Sequence, residues 1–355
     1  MKILIATQCF PPDFGGIEHV MGNIAINAFK LNHQVTVICD QSKNPSQNFD
    51  EENKFSIKRF GQIKYFRRLK KANYINDLIS NENYDCIFFD SWKSSEFISS
   101  NNQANKFICL VHGNEILKHK NQKRIIESIS KANTIVFNSK ATQSLFLKKF
   151  VTFKINKSKI IYPAFIQKIE QTINEKKMYD FCTISRLDRR KGHYQVLEAL
   201  KKLKDNDNIL ASYAILGSGD EIGVLKSMAQ KLSLQNQVFF LSENSNPDEV
   251  LNKSKIHLLP TFLDGNSIEG FGISNVEAAS KGVPCIVSDS GGTPESIIPN
   301  QTGLVVQQKN LNALYLGMKN LLMNKELYRE FSSNSLSFAK NFLKEKKILE
   351  YLDNF

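Results

Sequence analysis

The chain has 355 residues, enough for two domains of ordinary size, each able to bury its own core. Its 41% hydrophobic and 23% charged residues are those of a globular protein. No apolar run reaches the length of a membrane span, and KILIATQCF meets PPDFGG too soon to be a signal peptide, so a soluble protein is expected rather than a transmembrane or secreted one. The net charge of +12 is uneven: residues 1–165 carry 24 Lys/Arg against 13 Asp/Glu, and residues 166–355 carry 23 against 22. A basic first half suits an anionic membrane surface or an anionic acceptor. The basic residues are not interleaved with an RNA-binding aromatic motif, which excludes a nucleic-acid module. Six scattered cysteines without a CxxC pair read as free thiols of a reducing cytoplasm.

In chain order, an apolar run at Lys2–Ala6, helical spacing over 17–30 and a second apolar run at 34–39 predict a β-α-β unit, hence a parallel sheet. Gly15 and Gly16 fall in its first loop, at a strand's carboxyl end, where open α/β sheets take ligands. KYFRRLKK at 64–71 opens a basic amphipathic helix reaching Ile79, a candidate for lying on an anionic membrane. Buried strands are expected at 84–89 and 107–111. His112 and Gly113 follow the second, where His112 can bond a ligand hydroxyl. Helix 121–131, strand 135–137 and helix 139–150 continue the alternation, with Ser139 as N-cap. FLKKFVTFK at 146–154 is a second membrane-docking candidate, and strand 159–163 closes this half.

Residues 166–178 have the polar composition of a linker, and strand 179–185 starts a second domain. It runs into SRLDRRKG, where Arg186 and Lys191 bracket a turn and can neutralise a diphosphate. Strand 211–216 leads to the turn Gly217-Ser218-Gly219, and strand 238–241 to the polar loop 242–248. The Asp205-Asn206-Asp207 triplet before these strands spells a metal motif but reads as a solvated turn. Asp264-Gly265-Asn266 lacks the other acidic ligands of a calcium loop, so no metal is required. Helix 248–252 and strand 256–259 bring the chain to LPTFLDGNSIEGFGISNVEAASKGVPCIVSDSGGTPE. Glu269 and Glu277 stand about two helical turns apart there if a helix starts near Gly272. Gly270 and Gly272 let backbone approach a ligand, and the free N–H groups of the helix start suit a phosphate. A carboxylate beside a phosphate must face a hydroxylated part of the same ligand, so the pattern points to a sugar nucleotide. Strand 303–306 and helices near 311–322 and 325–342 follow.

EGFGISNVE resembles the E-x7-E motif of the retaining GT-B glycosyltransferases of group 1 (family 4), and ASKGVPCIVSDSGGTPE resembles that family's continuation, with mannosyltransferase-like members nearest. SRLDRRKG is similar to its GR-L-x4-KG motif, with Ser185 in the glycine place. The Asn138-Ser139-Lys140 turn matches as well, whereas Ala164-Phe165 departs from the family's Asn-Gly. The resemblance implies an α/β fold of GT-B type, two Rossmann-like domains facing across a cleft. They would be an acceptor-side domain at 1–165, with a C-terminal helix at about 336–355 packing back on it, a linker at 166–178 and a nucleotide-sugar domain at 179–335.

The same resemblance implies catalytic roles for His112, Arg186, Lys191 and Glu269. It implies donor binding by Gly15, Gly16, Arg186, Lys191, Gly217, Gly270, Phe271, Gly272, Ile273 and Glu277, with Arg186 and Lys191 on the diphosphate and Glu277 on the ribose. No cofactor and no metal are expected. The expected reaction is retaining transfer of a hexose or N-acetylhexosamine from a nucleotide-diphosphate sugar to a hydroxyl of a lipid-linked or polysaccharide acceptor. The expected place is the inner face of the cytoplasmic membrane, peripherally bound. Asp13, Glu18 and Glu115 are placed to serve as nucleophile in a double displacement, and a front-face mechanism needs none of them. A nucleotide-sugar epimerase and a catalytically silent glycan-assembly partner are the alternatives from other classes.

Overall fold

The computed structural model describes residues 1–42, 47–61, 63–99, 106–117, 121–170, 177–265 and 267–353. Linker residues 171–176 and Asn266 of the calcium-like triplet lie outside them. The chain divides into two compact units, Met1–Phe165 with Lys344–Phe355, and Ile166–Leu343.

The first unit holds strands β1 (Lys2–Ala6), β2 (Gln34–Asp40), β3 (Ser56–Phe60), β4 (Cys86–Phe89), β5 (Lys106–Val111), β6 (Thr134–Phe137) and β7 (Ser158–Ile160). They form one parallel sheet in the order β3-β2-β1-β4-β5-β6-β7. The inner strands read as unbroken apolar runs because both faces are covered. In β4, Phe89 joins a cluster with Leu4, Ile75 and Phe107, while its neighbour Phe88 meets the Tyr351 ring at 6.5 Å. Edge strand β3 escapes the sequence reading because only Phe60 of its five residues is buried. The basic Lys58 and Arg59 are what an edge strand carries to discourage pairing with other chains. Helix Lys344–Leu352 packs on helix Gly16–Lys30, with Tyr351 stacked on Phe165 at 5.7 Å.

The second unit holds β8 (Tyr179–Ile184), β9 (Tyr213–Leu216), β10 (Val238–Phe240), β11 (Ser254–Leu259), β12 (Cys285–Ser288) and β13 (Gly303–Val306). Its parallel sheet runs β10-β9-β8-β11-β12-β13. Successive residues Phe181 and Cys182 point into different core clusters, as strand pleating demands. Strand order reverses between β1 and β4 in one sheet and between β8 and β11 in the other, and the carboxyl ends beside such a reversal are where ligands bind.

Side-chain caps start several helices where the sequence offers Asn or Ser. Ser139 Oγ accepts the Thr142 N–H at 3.0 Å, opening helix Lys140–Lys149 as its N-cap role predicts. Asn121, Asn246, Asn310 and Asn324 do the same for the helices that follow them.

Candidate functional site

In the second unit, β8 ends in Ser185, and the chain turns through Arg186–Gly192. The Leu187 side chain is buried, and its N–H bonds the Ser218 carbonyl at 2.7 Å, so the turn is fastened to the glycine loop after β9. A 3-10 turn, Arg189–Lys191, leaves Arg189 outside and sends Arg190 and Lys191 inward. Gly192 closes it at φ 79°, where a Cβ would stand 2.2 Å from the Pro260 carbonyl oxygen; no other residue fits. Lys191 Nζ and Arg190 Nη1 each donate to Oε2 of Glu269 at 2.6 Å. Burial pushes the Glu269 carboxyl up, but the charges of Lys191 and Arg190 outweigh it and hold it down at about 2. The backbone of Glu269 is backed by the SGGTPE turn. The Gly292 N–H bonds its carbonyl at 2.9 Å, and a Cβ on Gly291 would lie 2.2 Å from that oxygen.

β8 and β11 are neighbours across the strand-order reversal, so Lys191 and Glu269 meet there from 78 residues apart. Arg190 is the member the sequence reading missed, because spacing alone does not tell which side of a three-residue basic turn faces in. Arg186 stands apart from the cluster: its side chain is 74% exposed, and among the described residues its one ion-pair partner is Asp188, at 3.6 Å. Gly217 packs so close to the Ser185 carbonyl that a Cβ would fall 1.9 Å from it, so its visible task is to seat the Arg186 turn.

Gly272 (φ 103°) starts helix Ile273–Ala279, with Gly270 before it and Phe271 buried against Phe342 at 6.3 Å. Glu277 lies half-buried on this helix, and burial first, then the charge of Asp248, raise its carboxyl to about 7 despite Lys281. Lys281 is itself buried, with Nζ 2.9 Å from Asp248 and 3.3 Å from Glu170. Two histidines that the sequence reading passed over brace this arrangement. His257 Nε2 accepts the Ile184 N–H at 3.2 Å, so Nδ1 carries the proton and donates to Asn275 Oδ1 at 2.9 Å. That pair ties the end of β8 to the helix bearing Glu277. His193 links Tyr213 and Ser185 at 3.1 Å each. Burial holds both histidines neutral, lowered to about 4.

In the first unit, Asp90 after β4 is buried and accepts from the Gln8 N–H (2.9 Å) and the Ser94 hydroxyl (2.6 Å). Its carbonyl oxygen accepts from His112 Nε2 at 3.0 Å, which leaves His112 Nδ1 as an acceptor for a ligand hydroxyl. Glu115 Oε1 accepts the His112 N–H at 2.7 Å, and Asp13 accepts from Ser42 at 2.7 Å, so both are committed to loop structure. Gly15 and Gly16 are exposed at the start of helix Gly16–Lys30, with the Glu18 carboxylate so close over Gly15 that a Cβ would meet it at 2.2 Å. Half-buried His19 accepts the Phe165 N–H at 3.3 Å, which gives the departure at Ala164-Phe165 a packing role.

Residues 165–338 match the family model for glycosyl transferases group 1, and residues 14–165 match that for glycosyltransferase family 4. The chain belongs to this glycosyltransferase family. It is 24% identical over 349 residues to a GDP-mannose-dependent alpha-(1-6)-phosphatidylinositol monomannoside mannosyltransferase of Mycolicibacterium smegmatis, a match covering 90% of this chain and 89% of that one. It is 26% identical over 178 residues to the poly(glycerol-phosphate) alpha-glucosyltransferase of Bacillus subtilis, and spans only 25% of that longer relative. In fold it matches Anabaena Alr3699/HepE in complex with UDP, with a TM-score of 0.80, 17% identity and full coverage of both chains.

In this glycosyltransferase Asp205 and Asn206 of the metal-like triplet are solvent-exposed, as expected, while Asp207 is held by other side chains. Asp207 ends helix His193–Asp207, accepts from the Tyr315 hydroxyl at 2.6 Å and pairs with Lys319, so it clasps helix Leu311–Met323. The two membrane candidates divide. In helix Lys64–Asn81, Lys71 and Arg67 are consumed by Asp40 and Arg68 by Glu96, while Tyr65, Phe66 and the preceding Ile63 are exposed. In FLKKFVTFK, Phe146 and Phe150 belong to the core, leaving Leu147 and Val151 outside. Among the described residues no helix is long and apolar enough to cross a membrane, and all six cysteines are free thiols.

Proposed function

We propose that the protein is a retaining glycosyltransferase that moves a hexose or N-acetylhexosamine from a nucleoside-diphosphate sugar to a hydroxyl of a lipid-linked or polysaccharide acceptor. The observation that carries the reading is the Arg190–Lys191–Glu269 cluster at the strand-order reversal of the second sheet, with Glu277 on the next helix. Two cations share one carboxylate there, so the cluster keeps a net positive charge for an incoming diphosphate. In this reading Lys191 turns its ammonium to the donor phosphates, joined by exposed Arg186, and Arg190 retains Glu269. Charge developing on the departing nucleoside diphosphate is then met by groups already in place. Glu277 receives the ribose hydroxyls, Glu269 a hydroxyl of the sugar ring, and His112 Nδ1 a hydroxyl brought to the first unit. These cations, and no metal ion, are assigned the neutralising role.

Retention is assigned to front-face transfer. As the anomeric C–O bond to phosphate breaks, the leaving oxygen takes the acceptor's proton and the acceptor oxygen bonds the same face. Of the three carboxylates placed for a double displacement, Asp13 and Glu115 are committed to loop hydrogen bonds, which leaves Glu18 as the one rival to this route. The basic first half and the exposed Ile63, Tyr65 and Phe66 support peripheral binding at the inner face of the cytoplasmic membrane. The test is nucleoside diphosphate release from UDP- and GDP-sugars with a membrane lipid extract as acceptor, and the anomeric configuration of the product by NMR. Acceptor-dependent release giving an α-linkage from an α-linked donor supports the reading. An inverted product overturns retention, and release into water alone overturns the acceptor assignment.

A further inference from the structure

Lys93 and Lys64 stand out among the cations of the first unit. Lys93 is half-buried just beyond Asp90, with Nζ 5.7 Å from the Trp92 ring. Arg68 donates to the Lys93 carbonyl at 3.0 Å, which sets the first turns of helix Lys64–Asn81 against Trp92–Ser95. Lys64 lies one helical turn before Arg68, on the same face. Among the described residues no carboxylate stands within ion-pair distance of Lys64 or Lys93, whereas Arg67, Arg68 and Lys71 all have acidic partners. The two nearby acids are held short of ion-pair contact by other donors, Asp90 by Gln8 and Ser94, Glu115 by the His112 N–H. Burial and then the charge of Lys64 push the Lys93 ammonium down, with Arg68 adding to the strain and Glu115 and Asp90 relieving it. A chain that brings Lys64 and Lys93 near each other with no carboxylate in ion-pair contact among the described residues leaves both ammonium groups open to an anionic ligand.

We propose that Lys64 and Lys93 form an anion subsite, beside His112, that holds a phosphate group carried by the acceptor. The inference rests on the reading that the first unit takes the acceptor. The phosphate can belong to a lipid diphosphate carrying the glycan or to an anionic lipid headgroup, and both present the same oxygens to ammonium donors.

Trp92 is the protein's single tryptophan, so its fluorescence reports directly on this place. Farnesyl diphosphate is titrated into the full chain with the donor site saturated by whichever of UDP, GDP or ADP binds. In parallel, sedimentation is measured with vesicles of equal parts phosphatidylcholine and phosphatidylglycerol. Lys93→Gln and Lys64→Gln are each expected to weaken farnesyl diphosphate binding about tenfold or more, and Lys93→Arg to restore most of it. Loss of vesicle binding alone in the same variants supports the subsite with the headgroup as its phosphate source. Folded Lys93→Gln and Lys64→Gln proteins that bind both probes like wild type overturn it. Failure of every nucleotide to bind, with the variant effect intact, counts against the donor assignment and leaves the subsite supported.

Discussion

Glu277 offers the sharpest handle on the donor site. Burial and Asp248 raise its carboxyl from 4.5 to about 7. Ribose hydroxyls donate best to the ionised form, so binding should pull the proton off and lower the pKa in the complex. Above about pH 7 the free protein already carries the carboxylate, and affinity is flat. As the pH falls below that value, donor affinity should drop, approaching tenfold per unit. Near pH 6 only about one-tenth of Glu277 is ionised, so binding should be about tenfold weaker, a loss of about 1.4 kcal/mol. Calorimetry with an intact nucleotide sugar reads this cleanly, because its diphosphate is a diester and does not titrate in the window. His193 and His257, lowered to about 4, do not titrate there either. Repeating the titration in buffers of different ionisation enthalpy should count close to one proton released near pH 6. Glu277→Gln should weaken binding about tenfold or more at neutral pH and flatten the profile. A wild-type affinity constant from pH 6 to 8, with no proton released, would refute the assignment of Glu277 to the ribose.

Glu269→Gln leaves Arg190 and Lys191 buried without their carboxylate, which should abolish transfer and destabilise the second unit by about 3–5 kcal/mol in calorimetric unfolding. The folded carboxyl sits at about 2 against 4.5 for the free group, so its stabilisation is complete above 4.5 and lost as the pH falls toward 2. The gap between wild type and Glu269→Gln should narrow over that range, and a constant gap would contradict the ion-pair account. Gly192→Ala should cost more than about 1 kcal/mol, since it adds a Cβ against the Pro260 carbonyl at a left-handed position; an unchanged melting temperature would refute the steric argument. Asp207→Asn should lower thermal stability while leaving kcat unchanged, and EDTA should leave transfer intact. Loss of activity in either case, restored by a divalent cation, would reinstate a metal site.

Much of the fold is legible because β-α alternation writes itself in apolar runs, and Ser139 marks its helix start by chemistry alone. Strand β3 was not legible: SIKRF at a sheet edge buries one residue, so no apolar run announces it. Glu269 and Lys191 could be named from the motifs that resemble the family's, but their direct contact could not, since it depends on β8 and β11 being neighbours although 78 positions separate the two residues. Arg190 was hidden by a 3-10 turn whose inward face no periodicity records. His193 and His257 were hidden for a different reason. They act through buried hydrogen bonds that position other groups, and nothing local in sequence distinguishes such a histidine from a core one.

The central claim is that the second unit binds a nucleoside-diphosphate sugar through the Arg190–Lys191–Glu269 cluster. The direct measurement is calorimetric titration of the purified chain with UDP, GDP, ADP and their common sugar conjugates, beside the Lys191→Met variant. The account predicts saturable binding of one nucleotide class, strengthened by the attached sugar and weakened about tenfold or more by Lys191→Met. Absence of binding to every member by folded protein, or binding indifferent to Lys191, would contradict it.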